Sequence, residues 1–137
     1  MKFLLSILFI AIVVCFSCEN EPVFIKCDDC ESAEPKEAEI TIKLYNNPET
    51  SDTEVSIYEG NLEDSILFKS IDHSGIELRV KVPVNKRYTL TANYVLKGKR
   101  YIVVDSVFPR ISFVKDQCDE PCYYVYDNNA NLKLKYH

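Results

Sequence analysis

From Ala38 onward, apolar residues recur at every second position. Ile40, Ile42 and Leu44 alternate with Thr41, Lys43 and Tyr45, which predicts a strand with one buried face. The following NNPETSD segment, 46–52, is a loop by composition. Val55 and Ile57 alternate with Glu54, Ser56 and Tyr58 in a second strand ending near Gly60. A third strand, Ser65 to Ile71, is more apolar on both sides. Asp72-His73-Ser74-Gly75 reads as a turn, with Gly75 free of the Cβ penalty. Ile76, Leu78, Val80 and Val82 form the cleanest alternation, and Pro83 ends it because proline cannot donate to a ladder. Tyr88, Leu90, Ala92 and Tyr94 alternate with Thr89, Thr91 and Asn93. Lys97-Gly98-Lys99 is then a hairpin turn into Tyr101–Phe108. Pro109 breaks that run, and Ile111–Val114 is either another short strand or an irregular crossing. Tyr123–Tyr126 and Leu132–Tyr136 are expected to pair across the turn Asp127–Asn131. No window carries a capped helical period. The expected fold class is all-β, an antiparallel β-sandwich of about seven to nine short strands.

The N-terminus follows a different pattern. Met1-Lys2 supplies a positive charge, and Phe3 to Phe16 is an apolar run broken only by Ser6. As a helix it would rise roughly 21 Å, against roughly 30 Å for a bilayer's hydrocarbon core. It suits the apolar region of a signal peptide and is too short for a permanent span. Its exit, Cys15-Phe16-Ser17-Cys18, resembles the lipobox of bacterial lipoproteins, in which a small residue precedes a cysteine that is lipidated and becomes the mature N-terminus. Ser17 and Cys18 fit that pattern, whereas Phe16, and Cys15 where the family usually has Leu, depart from it. Glu19-Asn20-Glu21-Pro22 is similar to the surface-export signals of lipoproteins from gut Gram-negative anaerobes. The resemblance implies lipidation of Cys18 and, through more than one acyl chain, stable attachment of the protein to a membrane. It places the protein in the cell envelope, anchored to the outer membrane and facing the periplasm or the surface.

Length and charge narrow the picture further. At 137 residues and 15.8 kDa there is room for one domain, and 47% apolar with 27% charged residues excludes a wholly disordered chain. Sixteen basic against twenty-one acidic residues, a net charge of −5, is the wrong sign for neutralising nucleic-acid phosphates. The expected organisation is a signal peptide over 1–17, a lipidated N-terminus and polar linker over 18–37, and the sandwich over 38–137. Val82-Pro83-Val84-Asn85-Lys86-Arg87-Tyr88-Thr89-Leu90-Thr91-Ala92 resembles the turn and strand of prealbumin-like and carboxypeptidase-regulatory-like sandwiches. Those usually carry Gly in the turn, where Asn85-Lys86 stands here. An antibody-type domain is disfavoured by the lack of Trp and by cysteines at the wrong ends.

With Cys15 removed and Cys18 lipidated, Cys27-x-x-Cys30 and Cys118-x-x-x-Cys122 remain. In an oxidising compartment an even count means disulfides. Three connectivities are open. Joining the first pair to the second is preferred over two local bridges, because a bridge within Cys-x-x-Cys is short and redox-labile. Such a cross-link would close a loop of about ninety residues, stabilising by roughly 4–5 kcal/mol in the chain-entropy model. A four-thiolate zinc knuckle is the second reading, opposed by oxidising export. A thioredoxin-like site is the third, opposed by Asp28 and Asp29 beside the thiol.

Other signals favour bland readings. Asp72, His73 and Ser74 are consecutive in a turn and cannot converge as a hydrolytic triad. Asp127, Asn129 and Asn131 match the first positions of a calcium loop, but Leu132 stands where Gly is needed. Asp64-Ser65-Ile66 and Asp105-Ser106-Val107 resemble the O-glycosylation acceptor of the same anaerobes, implicating Ser65 and Ser106. Tyr45, Tyr58, Tyr123, Tyr124 and Tyr126 are among nine tyrosines, whose default role is cross-strand pairing. Exposed, they could stack on a glycan or anchor a protein partner. The expectation is a lipid-anchored, non-enzymatic envelope protein, either a binding module or a structural subunit. It is expected to have no cofactor, no resident metal and no nucleic-acid partner. The alternative is an envelope redox or zinc protein using its cysteine pairs.

Overall fold

The structure, a computed structural model, describes residues 25–46 and 52–135. The expected signal peptide over 1–17, Cys18 and the first part of the expected polar linker lie outside the described residues. Among the described residues nine strands follow in chain order: β1 (Glu37–Leu44), β2 (Thr53–Glu59), β3 (Leu67–His73), β4 (Glu77–Pro83), β5 (Tyr88–Leu96), β6 (Lys99–Val107), β7 (Arg110–Val114), β8 (Cys122–Tyr126) and β9 (Asn129–Leu132). They form a four-stranded sheet ordered β3-β2-β5-β6, a three-stranded sheet ordered β4-β1-β9, and a separate hairpin, β7-β8. The fold class is therefore all-β and sandwich-like, and the stretch over Ile111–Val114 is a strand rather than a crossing.

The alternation along each strand sets its buried face. Ala38, Ile40, Ile42 and Leu44 of β1 point inward, flanked by Leu78, Val80 and Val82 of β4 and by Ala130 and Leu132 of β9. Val55 and Ile57 of β2 and Leu90 and Ala92 of β5 meet them from the opposite sheet. Truncating a fully buried member such as Ile42 to Ala would cost about 2–5 kcal/mol, from lost apolar transfer plus the cavity left behind. Tyr88 and Tyr94 also lie wholly inside, and their hydroxyls are satisfied: Tyr88 donates to Pro83 O at 3.0 Å and Tyr94 to Leu132 O at 2.8 Å.

Two turns show how local sequence meets backbone demand. Lys97 and Gly98 both take positive φ, 51° and 71°, as a two-residue hairpin between β5 and β6 requires. Asn85 takes φ 58° in the turn after β4, where glycine was the expected residue, and asparagine tolerates that left-handed region better than most residues.

The end of the chain departs from the sequence expectation. The last strand is Asn129–Leu132, not Leu132–Tyr136, and it pairs with β1 in parallel rather than with β8. Thr41 lies opposite Asn129 and Leu44 opposite Leu132. The Asx-rich stretch read as a turn is thus mostly strand. Ala130 and Leu132 reach the core from it, and the ladder with β1 outweighs the turn preference of its asparagines. Only Asp127, at φ 56°, keeps turn geometry. At the other edge β3 is exposed along almost its whole length, and with the residue before it leaves Ile66, Leu67 and Phe68 in solvent.

Candidate binding face on a doubly stapled hairpin

Cys27–Asp29 forms a single 3-10 turn whose first residue, like Cys30 just after it, is bonded across the molecule. Cys27 is joined to Cys118 and Cys30 to Cys122, with Cα–Cα distances of 5.7 and 5.5 Å and sequence separations of 91 and 92. This is the cross-pairing expected from the spacing. Cys118 lies in the loop between β7 and β8, and Cys122 is the buried first residue of β8. One residue beyond the second bridge the backbone of Glu31 pairs with Tyr123: each amide donates to the other's carbonyl oxygen, at 2.8 and 2.7 Å. The segment before β1 therefore lies beside β8, joined to it by one isolated β-bridge and fixed covalently at two points.

The sulfurs of Cys30, Cys118 and Cys122 lie within 4.8 Å of one another. Each belongs to a disulfide, so a zinc knuckle would first require both bonds to be reduced. Among the described residues no other group of His, Cys, Asp and Glu gathers at metal-binding distance, and no helix is long and apolar enough to cross a membrane.

The hairpin held in this way is built differently from the sandwich. Register places Arg110 opposite Tyr126, Ser112 opposite Tyr124, and Phe113 opposite Tyr123. Residues opposite one another share a face. On one face the Arg110 guanidinium lies between two rings, 5.3 Å from the Phe108 centroid and 4.9 Å from that of Tyr126. The Tyr124 ring continues the row, 5.7 Å from Tyr126 and tilted by 38°. Arg110 also donates to the Asp127 carboxylate, through Nη2 and through Nε at 3.2 Å, and that bond raises its already high pKa. On the other face Phe113, 55% exposed, leans on Tyr123 at 4.9 Å.

Two depressions flank β8. One, of about 380 Å³, runs under Tyr123 and is lined by Asp29, Glu31, Glu37 and Glu39 with no basic side chain. The other, of about 340 Å³, opens on Tyr124 and Tyr126 and is bordered by Lys26, Asp29, Asp127 and Asn129. No protein-family model matches this chain, and neither the curated proteins nor the solved structures contain a significant match. The arrangement must be interpreted from its own chemistry.

The remaining sequence candidates are scattered. Asp72 and His73, read from sequence as part of a turn, are the last two residues of β3, and His73 Nε2 lies 2.9 Å from the carbonyl oxygen of Glu77 at the start of β4, with no nucleophile bonded to its ring among the described residues. Ser65 is exposed in a turn at φ 52°, and Ser106 is exposed on β6 with its amide bonded to Asp105 at 2.8 Å. Tyr45 packs edge-on against Tyr94 at 6.2 Å, a structural role. Sequence reasoning singled out the tyrosines of β8 but not Phe108, Arg110 or Phe113, and weighed Asp127 only as part of a calcium-like turn. The alternation of Phe108, Arg110 and Ser112 across the strand-breaking Pro109 is the signal that could have found the stack.

Proposed function

We propose that this is a lipid-anchored, non-enzymatic binding protein of the cell envelope, whose recognition surface is the β7–β8 hairpin. One observation carries the reading: both disulfides fasten a hairpin whose aromatic residues lie outside the core cluster of the sandwich. A fold that rigidifies a half-exposed aromatic ribbon in this manner presents it to a partner at low ordering cost. The anchor rests on the apolar run ending in Ser17-Cys18. The exposed β3 edge supports the structural-subunit form of the same reading, because a strand paired on one side only can accept another on its open edge.

Detergent phase partitioning of envelope fractions tests the anchor: the native protein should enter the detergent phase and Cys18→Ser should not. Photo-cross-linkers placed at Phe113 and Tyr124 test the surface. They should trap an envelope component that linkers at Arg79 and Lys81 of β4 do not. Glycosylation at Ser65 and Ser106 belongs to the same proposal, and an intact mass without added hexose would remove it. The redox or zinc alternative draws on the closeness of Cys30, Cys118 and Cys122. Thiol titration of the native protein together with metal analysis decides it, since free thiols or bound zinc would favour it over disulfides.

A further inference from the structure

We propose that the depression on Tyr124 and Tyr126 binds an uncharged carbohydrate of one or two sugar units. The inference rests on the hairpin being a recognition surface and names what it recognises.

Charge is the first argument. Lys26 and Asp29 stand on the border of the depression, and the Asp127 carboxylate is already hydrogen-bonded to Arg110. The formal charges therefore cancel in pairs around the opening. An ionic ligand would find no net field to compensate its desolvation. The neighbouring acid-lined depression under Tyr123 offers the contrast within the same molecule.

Shape and surface chemistry are the second. Two tyrosine rings 5.7 Å apart, inclined at 38° to one another, form a shallow apolar floor rather than a closed hydrophobic slot. A purely apolar ligand would gain the rings but would face Asp29, Asn129 and Lys26 at the rim without satisfying them. A sugar ring has one face of C–H groups for the aromatic floor and equatorial hydroxyls that both donate and accept. Asp29 accepts, Lys26 donates, and the Asn129 side chain, which donates to Asn128 Oδ1 at 3.1 Å, keeps its carboxamide oxygen as an acceptor. A volume of about 340 Å³ lies at the small end of ligand sites, which limits the occupant to one or two units.

The experiment uses the full processed protein in detergent micelles and saturation-transfer NMR with maltose, cellobiose, lactose and mannobiose, with digalacturonate as the charged control. At least one neutral disaccharide should receive saturation, chiefly on the C–H protons of one ring face. Binding should weaken about tenfold in Tyr124→Ala and survive in Tyr124→Phe, which keeps the ring. Lys81→Ala, exposed on β4 away from the hairpin, should leave it unchanged, and near-ultraviolet circular dichroism confirms that each variant is folded. The proposal is overturned if no neutral sugar binds, if digalacturonate binds better, or if Tyr124→Ala binds like the native protein. Should no sugar bind while the Tyr124 cross-linker still traps an envelope component, the sugar falls and the recognition surface stands. Should both fail, the two readings fall together.

Discussion

The hydroxyl of Tyr94 donates to the carbonyl oxygen of Leu132 at 2.8 Å and accepts from the amide of Tyr45 at 3.1 Å. One side chain, wholly buried, thus joins the ends of two strands of the opposite sheet, β1 and β9. Burial raises its pKa, partly offset by the Tyr45 amide. Tyr94→Phe keeps the packing but leaves both backbone groups without this partner. We expect a loss of about 1–3 kcal/mol. Denaturant unfolding should show a lower midpoint with an unchanged slope; an unchanged midpoint would mean water replaces the hydroxyl at no cost.

The two disulfides should be strongly non-additive. Either one alone closes a loop of about ninety residues, and the second then closes only the short path between neighbouring bridges. Cys27→Ala with Cys118→Ala should therefore cost little, and Cys30→Ala with Cys122→Ala somewhat more because Cys122 is buried. Removing all four should cost about 4–5 kcal/mol. Equilibrium unfolding of the three variants measures this, and equal halves would contradict loop-closure entropy as the source.

Stability should fall at alkaline pH through Tyr88. Burial, aided by the nearby Glu59 carboxylate, pushes its hydroxyl up to about 12 from an unfolded value of 10.0. Between those values the folded chain holds a proton that the unfolded chain has lost, so folding weakens as pH rises through that window. Below pH 10 the contribution is fully present. Tyr88→Phe should flatten the alkaline slope of stability against pH, whereas a slope identical to the native protein's would place its origin elsewhere.

Asn85 provides a backbone test. Its φ of 58° lies in the left-handed region, while its amide donates to Pro109 O at 2.8 Å. Asn85→Ala should cost about 1 kcal/mol, and Asn85→Gly should be close to neutral. Thermal unfolding of both variants checks the order, and an alanine variant as stable as the glycine one would refute the conformational argument.

Strand faces were legible because burial on one side forces a period of two, and Ile40, Ile42 and Leu44 obey it without exception. Strand partners were not legible. Alternation says which way Leu132 points but not that Leu44 lies beside it in parallel. The apolar character of Ser65–Ile71 reflects a largely exposed edge strand that touches the core only through residues such as Ile71 and Phe68, a distinction that composition does not carry. That the bridges run between the two cysteine pairs was legible from chemistry, since a bridge within Cys-x-x-Cys is short and labile, but which cysteine of one pair meets which of the other was not. The stack of Phe108, Arg110, Tyr126 and Tyr124 was only half visible, because it depends on β7 folding back on β8 with Arg110 opposite Tyr126.

The bond from Cys27 to Cys118 also settles how the molecule answers mechanical tension. A pull exerted between the N-terminal side of Cys27 and a ligand held on β8 passes through sulfur directly into the hairpin. The strands from β1 to β7 form a bypassed arc between the two sulfurs and carry none of the strain. Flow or motion tugging at such a protein would stretch covalent links before it could unzip a single ladder of the sandwich.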